Sequence, residues 1–450
     1  MNQPAPGTLP TGAVEVMAVI DGARFSPFQW RVVALCLLVG LIDGFENGVI
    51  AYVAPALLED FGLSLPAMGN IFAAGTVGMA IGCLTMGGLA DRWGRKTAVI
   101  ASVAVFGVAA LGTAASTGLV ELMLWRFIAG IAIGGAQPVM IALLAEYAPA
   151  RHRSTATVVG FVGVGIGVPI SALLSAWIIP RHGWEAVFII GGVVPLLLLP
   201  GLWWALPESI RFLVGGGVRN GARVAASLNR IVGQALYSAS DQFVLTEPPA
   251  PRASGRELLT PRYRRRTLAI WAVYFFNWIT WYLFLLWLPT ALTQAGLDLT
   301  RASQIGALMG VTALLAFPPA AVVIQRLGPA RCMAWLFAGG TVTAALLALA
   351  GTRWELIAAL VVPFTVFGVI PQVALNYLCV ELYPTPIRAT GVGWAIAAGR
   401  VGSVIGALVG GGLIAQWGLS GYFTTLAAPL LLAGVLTLLC FGRPGHRRSG

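Results

Sequence analysis

The sequence predicts an all-α membrane protein in which twelve transmembrane helices form two six-helix bundles that are pseudo-repeats of each other. The first observation is composition: 58% of the 450 residues are hydrophobic and 10% are charged, whereas about a quarter of a soluble domain is charged. The second is that apolar runs of about 20 residues, the length that crosses a bilayer, recur along the chain. The third is an internal repeat: short sequences of the first half recur in the second.

Twelve apolar runs fall into two groups of six, with a polar stretch rich in Arg, Gly and Pro between them. The runs cover residues 31–55, 67–90, 97–116, 122–147, 154–179, 184–206, 267–290, 302–325, 332–350, 354–380, 387–415 and 421–441. The expected organisation is a cytoplasmic tail at 1–30, a first bundle at 31–206, a cytoplasmic linker at 207–266, a second bundle at 267–441 and a cytoplasmic tail at 442–450.

The basic residues give the orientation. Of the 28 Lys and Arg residues, three (Arg181, Arg301, Arg353) lie in loops on one side, two (Arg126, Arg400) lie in spans, and the other 23 lie on the opposite side. The positive-inside rule therefore predicts that both termini face the cytoplasm. Although the net charge is +11, the basic residues form no helical stripe with interleaved aromatics, so nucleic acid is not an expected partner.

The two halves repeat short sequences at a nearly constant offset. "EYAPARHRST" begins at Glu146 and "ELYPTPIRAT" at Glu381, and the same offset of 235 relates Gln137 to Gln372. Two six-span halves with parallel repeats and a connecting linker are typical of secondary transporters, which bind their substrate near mid-membrane between the halves.

The loop between the second and third spans carries a distinctive motif, "GGLADRWGRK". Its glycines allow two helices to approach closely, and Asp91 is placed to cap the third span or to meet nearby cations. The motif resembles the loop signature of the major facilitator superfamily, and with twelve spans and a central linker the resemblance covers essentially the whole chain. It implies a gating role for Asp91, Arg92 and Arg95.

Within that superfamily the chain most resembles the aromatic acid/proton symporters. Its "DGFEN" is similar to their first-span D-G-x-D, with Glu in the second acidic place. "LPESIRFL", "WLPTAL" and "YPTPIRATGVGWAIAAGRVGSVIG" resemble the ends of their sixth and seventh spans and the entry to their eleventh. One departure is Gln325, which stands where the second-half loop of the family usually keeps an acid, and this puts a gating role of that loop in doubt.

Asp43 and Glu46 are two acids within an otherwise apolar first span. Their i, i+3 spacing puts both on one helix face, and an unpaired charge at mid-bilayer costs on the order of 2.5–3.5 kcal/mol. That face is therefore expected to line a wet cavity inside the protein. A carboxyl whose arginine partner can be shared with a substrate acts as a proton switch. Asp43 and Glu46 are the predicted proton-coupling residues, and the family resemblance points to the same positions.

Arg126 and Arg400 are the two cations within spans. A guanidinium matches a carboxylate in shape and keeps its proton, so Arg400 is the expected partner of a substrate carboxylate. Arg126 is expected to pair with the first-span acids, a role that fits structure and substrate binding equally well. The alternative is that all four charged residues form buried ion pairs that hold helices together.

Four further charged residues lie at the inner span ends: Glu146, Arg153, Glu381 and Arg388. The family resemblance matches Glu146 to an acid important for transport. The alternative is that these residues form interfacial charge pairs that close a cytoplasmic gate. Both interpretations assign them to gating.

The seventh span is dense in aromatic rings. An interfacial belt accounts for most of them, but a cluster deep in the span is suited to stack on a flat ring. The candidates in this span are Tyr274, Asn277, Trp278, Trp281 and Tyr282. Polar or aromatic candidates in other spans are Gln137, Asn376, Tyr377 and Trp394.

These observations favour a proton-coupled transporter that imports an aromatic carboxylate of the benzoate, hydroxybenzoate or phenylpropionate type by alternating access. The expected location is the bacterial inner membrane, the expected state is a monomer, and no enzymatic activity, cofactor or metal is predicted. One alternative is an exporter of drugs or other metabolites with the same fold, and another is a symporter of a non-aromatic anion. A membrane receptor or enzyme is disfavoured, because the sequence lacks a catalytic constellation.

Overall fold

The computed structural model describes residues 13–246 and 255–441 as a helical protein. The predicted tail 442–450 and parts of the predicted N-terminal tail (1–12) and linker (247–254) lie outside the described residues. The helices are α1 (Val16–Gly22), α2 (Pro27–Asp60), α3 (Leu65–Trp93), α4 (Arg95–Ala114), α5 (Leu119–Tyr147), α6 (Ala150–His182), α7 (Glu185–Ala205), α8 (Ile210–Gly215), α9 (Gly221–Val232), α10 (Arg264–Gln294), α11 (Leu299–Leu327), α12 (Pro329–Leu349), α13 (Trp354–Leu382) and α14 (Thr385–Phe441). Two short strands, β1 (Val14–Glu15) and β2 (Phe243–Val244), pair in parallel.

Eleven of these helices are long and apolar enough to cross a membrane. The last of them, α14, is interrupted at Gly418, whose φ of 61° and ψ of −160° are not helical. Positive φ is readily accessible to glycine because it has no Cβ. The interruption divides α14 into two apolar segments, 385–417 and 419–441, so the described part of the chain contains twelve apolar segments. The predicted all-α fold with twelve spans is confirmed.

Local sequence signals determine where the helices begin and end. At the start of α2, the Ser26 hydroxyl accepts a hydrogen bond from Gln29 N at 3.3 Å, and the Gln29 side chain accepts one from Ser26 N at 2.8 Å. This reciprocal arrangement is a capping box. Between α3 and α4, Gly94 takes a φ of 90°. The first turn of α4 is capped from a distance by Glu208, whose carboxylate accepts from Lys96 N at 3.0 Å.

Successive spans run in opposite directions, so the protein has two ends. We call the end that carries α1, β1, β2, α8 and α9 the N-terminal face and the other end the opposite face. Apolar side chains of α1 and α9, including Val16 and Leu228, pack with Phe28 of α2 in one buried cluster. Leu258, in contrast, belongs to the buried cluster that contains the second-half helices. The segment 207–246 therefore packs on the first half, and residues 255–259 pack on the second.

The two halves contact each other near the opposite face. The Phe72 ring meets the Trp287 ring edge-on, with centroids 5.0 Å apart, and a Cβ on Gly69 would lie 2.8 Å from the carbonyl oxygen of Leu408. The buried cluster at the N-terminal-face end of the first half contains no second-half residue among those described. A space between the halves is therefore closed toward the opposite face. On the N-terminal-face side, Phe161 and Phe317 are 41% and 44% exposed.

Glycines allow α2 to lie directly against α6, and this contact predicts a stability effect. A Cβ on Gly44 would collide with the backbone of Val164, so we expect Gly44→Ala to force the helices apart and to destabilise the fold by about 1–3 kcal/mol. The measurement is the thermal unfolding midpoint of the purified protein in detergent.

Gly87→Ala is the matched control for this substitution, because nothing lies within 4 Å of a Cβ at Gly87 in α3. We expect its midpoint to equal or slightly exceed that of the wild type, since Ala favours helix over Gly. Equal midpoints for both variants would contradict the assigned packing of α2 on α6.

Candidate functional site

A cavity of about 260 Å³ lies between the halves, near the middle of the spans. Four helices from each half line it: α2, α3, α5 and α6 from the first, and α10, α11, α13 and α14 from the second. Its wall is mostly apolar, which suits a small organic ligand with a few polar groups. The predicted site residues that line it are Asp43, Gln137, Asn277, Trp278, Trp281, Tyr282 and Arg400.

Asp43 and Arg400 are the charged residues of this lining, and they come from different halves. Asp43 is 4% exposed, and its Oδ1 has no hydrogen-bond partner among the described residues. The charge of Arg400 acts electrostatically on Asp43, yet no ion pair within 4.0 Å joins these two side chains. The cavity thus holds one acid and one base that are near each other but form no direct ion pair, and the acid has an oxygen without a hydrogen-bond partner among the described residues.

Arg400 is held by two aromatic side chains of α10. Its Nη1 donates to the hydroxyl of Tyr282 at 3.2 Å, and its guanidinium carbon lies 4.8 Å from the centre of the Trp278 ring, an attractive cation–π geometry. Trp278 and Tyr282 stack on each other, with centroids 5.8 Å apart and planes inclined by 24°. The Nε of Arg400 has no partner among the described residues. The guanidinium is therefore oriented, and its Nη2, which makes no hydrogen bond within the described residues and is not one of the enclosed atoms, is left for a ligand.

Glu46 and Arg126 form a separate buried pair beside the main cavity. Arg126 Nη1 lies 3.7 Å from Glu46 Oε2, with side chains 4% and 0% exposed. The hydroxyl of Thr113 accepts from Arg126 Nε at 3.2 Å and from Nη2 at 3.1 Å, and the Phe188 ring lies 4.7 Å from the guanidinium carbon. Neither oxygen of Glu46 has a close hydrogen bond among the described residues. The pair is electrostatic and loosely fitted.

Only a thin wall separates the two regions. The pair lines a smaller cavity of about 40 Å³, and four residues face both cavities: Asn47, Met79, Ile133 and Tyr282. Tyr282 comes from the second half and also contacts Arg400. The site of Arg400 and the site of Glu46 are therefore neighbours through Tyr282.

A chain of uncharged polar side chains joins α10 to α13. Trp278 Nε1 donates to Gln372 Oε1 at 2.6 Å, and Asn277 Nδ2 donates to the same oxygen at 3.1 Å. Gln372 Nε2 lies 3.5 Å from Asn376 Oδ1, which accepts from the Tyr274 hydroxyl at 2.6 Å. The chain begins at the cavity and runs toward the N-terminal face.

Four predicted substrate residues of the second half do not line the cavity: Tyr274, Asn376, Tyr377 and Trp394. Arg126 of the first half also lies outside it and lines the smaller cavity with Glu46. Tyr274 and Asn376 lie one step along the polar chain, behind Asn277 and Gln372. Trp394 is 51% exposed and stacks on Trp271, with centroids 5.7 Å apart. The reason is that α10, α13 and α14 are apolar on several faces, so the sequence does not reveal which face turns inward.

Three of the five predicted gating residues of the first half, Asp91, Arg95 and Glu146, lie in one charge cluster at the N-terminal face. Glu146 pairs with Arg95, lies 3.6 Å from Arg211 Nε, and accepts from the Ser209 hydroxyl at 2.5 Å. Asp91 lies within α3 and acts electrostatically on Arg95. The expected capping of the third span by Asp91 is wrong, because Glu208 supplies that cap from the end of the sixth span.

The remaining gating candidates are dispersed. Arg153 pairs with Asp21 of α1 at 3.6 Å, and Arg92 is exposed. In the second half, Arg388 Nε donates to the Tyr383 carbonyl at 3.2 Å. Glu381 is exposed and has no ion pair within the described residues. The interlocked charge cluster is thus a feature of the first half.

Sequence reasoning did not assign a site role to Asn47 or Gln372. Asn47 follows Glu46 directly, and its position one residue beyond an acid facing the cavity was an available signal. Gln372 is the repeat equivalent of Gln137, which is a predicted site residue, so the internal repeat was an available signal for Gln372 as well. Both line the cavity.

Comparison with known proteins identifies the architecture. The sequence profile of the Major Facilitator Superfamily matches residues 36–385 and 270–450. A gallate transporter of Pseudomonas putida is 38% identical over 97% of this chain and 96% of its own length. The 4-hydroxybenzoate transporter PcaK of Pseudomonas aeruginosa is 33% identical over 97% and 98%, and the 3-(3-hydroxy-phenyl)propionate transporter of Escherichia coli is 33% identical over 91% and 94%.

The chain belongs to the major facilitator superfamily. It is a multi-pass membrane transporter, and its predicted membership of the aromatic acid/proton symporter family is confirmed by these relatives. The fold is also that of the E. coli xylose transporter XylE in its partially occluded inward open conformation, with a TM-score of 0.75 and 16% identity over 93% of this chain and 98% of that one.

The Glu46–Arg126 pair of this transporter predicts that Thr113 contributes to stability. Thr113→Val removes the hydroxyl that accepts two hydrogen bonds from Arg126 and leaves a buried cation with unpaired donors, a change that costs about 1–3 kcal/mol. We expect a lower thermal unfolding midpoint for this variant in detergent.

Thr76→Val serves as the control. Thr76 lines the same small cavity, but its hydroxyl donates only to the Phe72 carbonyl of its own helix, at 2.8 Å. We expect its midpoint to stay close to that of the wild type. A Thr113→Val midpoint no lower than that of Thr76→Val would contradict the anchoring of Arg126.

Proposed function

We propose that this transporter imports an aromatic carboxylate together with protons across the inner membrane of a bacterium, and that it does so as a monomer by alternating access. In this proposal the N-terminal face is cytoplasmic, as the excess of Lys and Arg on that side indicates. The single observation that carries the proposal is that Asp43 of the first half and Arg400 of the second half line one cavity between the halves.

The substrate carboxylate binds Arg400. Guanidinium–carboxylate contacts combine charge with two parallel hydrogen bonds, and Tyr282 already orients this guanidinium from one side. The substrate ring lies against Trp278 and Trp281, whose faces line the cavity. The relatives named for gallate, 4-hydroxybenzoate and 3-(3-hydroxy-phenyl)propionate support an aromatic acid as the substrate.

Protons travel on Asp43 and Glu46. An anion that enters the cell moves against the membrane potential, at a cost of about 2.3 kcal/mol per charge per 100 mV, so at least one proton must accompany it for neutral transfer. Asp43 shares the cavity with Arg400. When the substrate occupies the guanidinium, Asp43 loses its compensating cation, and a bound proton then removes the cost of its charge.

Alternating access requires two gates. The contact of Phe72 with Trp287 supports closure toward the outside in this state, and Phe161 and Phe317 border the cavity on the cytoplasmic side. In the opposite state the cytoplasmic ends of the halves approach each other. The charge cluster around Glu146 and Arg95 keeps the first half rigid during this motion.

We expect Asp43→Asn to abolish accumulation driven by a proton gradient while substrate exchange without a gradient persists. The amide keeps the shape of the carboxyl group but cannot bind and release a proton. The measurement is uptake of a labelled aromatic acid into proteoliposomes under an imposed proton gradient. Adding Glu46→Gln removes the second proton carrier as well, and the double variant should likewise fail to accumulate substrate.

Glu59→Gln is the control, because Glu59 is an exposed acid on the same helix, at the opposite face. This variant should accumulate substrate as the wild type does. Undiminished accumulation by the double variant Asp43→Asn/Glu46→Gln would contradict the proposed proton coupling.

We expect Arg400→Ala to weaken the binding of aromatic carboxylates at least about tenfold, since it removes a charge-assisted contact. The measurement is isothermal titration of the purified protein with benzoate and hydroxybenzoates. Arg301→Ala is the control, because Arg301 is exposed at the opposite face, far from the cavity, where it contacts Asp298 at 3.3 Å and the Trp354 ring. Unchanged carboxylate affinity in Arg400→Ala, together with binding of organic cations, would instead support a drug exporter.

A further inference from the structure

In the row of hydrogen-bonded side chains that joins α10 to α13, Trp278 determines which end of each neighbouring amide group faces inward. The indole N–H of Trp278 is a donor only, so Gln372 must present its carbonyl oxygen there, at 2.6 Å. Asn277 then must present its amide nitrogen to the same oxygen, at 3.1 Å. The nitrogen of Gln372 and the oxygen of Asn277 therefore point away from their shared contact.

These two atoms have hydrogen-bonding capacity to spare. Within the described residues, the side-chain oxygen of Asn277 accepts no hydrogen bond, and the nitrogen of Gln372 has one long contact, 3.5 Å to Asn376 Oδ1. Both residues line the cavity, and the Asn277 oxygen is not one of the fully enclosed polar atoms that lack a partner. The cavity wall thus offers an acceptor and a donor on adjacent side chains.

The spare atoms lie across one indole ring from the carboxylate-binding arginine. The guanidinium carbon of Arg400 is 4.8 Å from the Trp278 ring centre, and the indole nitrogen of that ring touches Gln372. A flat acid whose carboxylate binds Arg400 and whose ring follows Trp278 therefore directs its far edge toward Asn277 and Gln372.

A hydroxyl group is the substituent that fits this pair. It donates and accepts through one oxygen, so it satisfies the Asn277 oxygen and the Gln372 nitrogen together. A carboxylate only accepts and an ammonium only donates. A second carboxylate on the substrate also lacks a second cation, since Arg400 is the only Lys or Arg lining the cavity within the described residues.

We propose that Asn277 and Gln372 form a binding subsite for a ring hydroxyl, and that this transporter therefore prefers hydroxylated aromatic acids to unsubstituted ones. The inference rests on the proposed function, because it needs the carboxylate of the same ligand on Arg400. The physical basis of the preference is that an acid without the hydroxyl leaves buried polar groups unpaired, which a site built for a hydroxyl strongly disfavours.

A structural explanation competes with this proposal. The same hydrogen bonds hold α10 against α13. If that were their only role, breaking them would change the affinity for every ligand by the same factor. Asn376 separates the two explanations. It is hydrogen-bonded to Tyr274 at 2.6 Å and has only the long 3.5 Å contact with Gln372 Nε2, and it does not line the cavity. Substitution of Asn376 loosens this contact between α10 and α13 and leaves the spare atoms of Asn277 in place.

The experiment measures affinity ratios by isothermal titration of the full-length protein in detergent. The ligands are benzoate, 4-methylbenzoate, 3-hydroxybenzoate and 4-hydroxybenzoate, so that size and polarity are varied separately. For the wild type we expect the better hydroxybenzoate to bind about tenfold more tightly than benzoate or 4-methylbenzoate, the value of one good hydrogen bond. Asn277→Leu should reduce this ratio to about two or less and keep the benzoate affinity within about threefold.

Asn376→Leu is the matched control and should keep the wild-type ratio, even where it lowers all affinities. Asn277→Ser, a smaller change, replaces Asn277→Leu if that variant does not elute as a single native species. The inference is overturned if the wild type binds benzoate and both hydroxybenzoates equally, or if the Asn277 and Asn376 variants change the ratio equally. Those results leave the proposed function standing, whereas a wild type that binds none of the four acids refutes the proposed function itself.

Discussion

The structure depends on the cost of placing charge within a membrane. Hydrocarbon solvates neither carboxylates nor guanidinium groups, so a charged side chain within a span must find a partner or a wet cavity. The protein uses both solutions. Glu46 and Arg126 are buried 3.7 Å apart, whereas Asp43 and Arg400 face one cavity from opposite halves. In the second solution the cavity must lie where the two bundles meet, because Asp43 belongs to one bundle and Arg400 to the other.

The helix that carries the acids has two differently used faces. Gly40, Gly44 and Gly48 recur every four residues, and a Cβ at any of them would meet α6 at short distance. This stripe brings the two backbones together, as small residues do in membrane helices. Asp43 and Glu46 lie off the stripe, on the sides that face the two cavities. Close packing on one side of α2 therefore fixes the direction of its acids on the other.

The sequence was sufficient for features that depend on composition and local spacing. It predicted twelve spans, the two acids and two bases within them, and the break near Gly418, which falls between the predicted spans 387–415 and 421–441. It did not predict contacts between distant segments, such as the cap that Glu208 supplies to α4. It also failed to orient Trp394, because a uniformly apolar helix carries no periodic signal that distinguishes a cavity-facing ring from an exposed one.

The repeat also shows how two similar halves acquire different tasks. Gln137 and Gln372 occupy equivalent positions and both line the cavity. Gln372 is fixed by Trp278 and Asn277, whereas Gln137 makes no hydrogen bond within the described residues. The acids lie in the first half, and Arg400 with its oriented amides lies in the second. Under the proposed function, a ligand held by the second half changes the electrostatic surroundings of Asp43 in the first, and that difference between the halves allows substrate occupancy to influence proton binding.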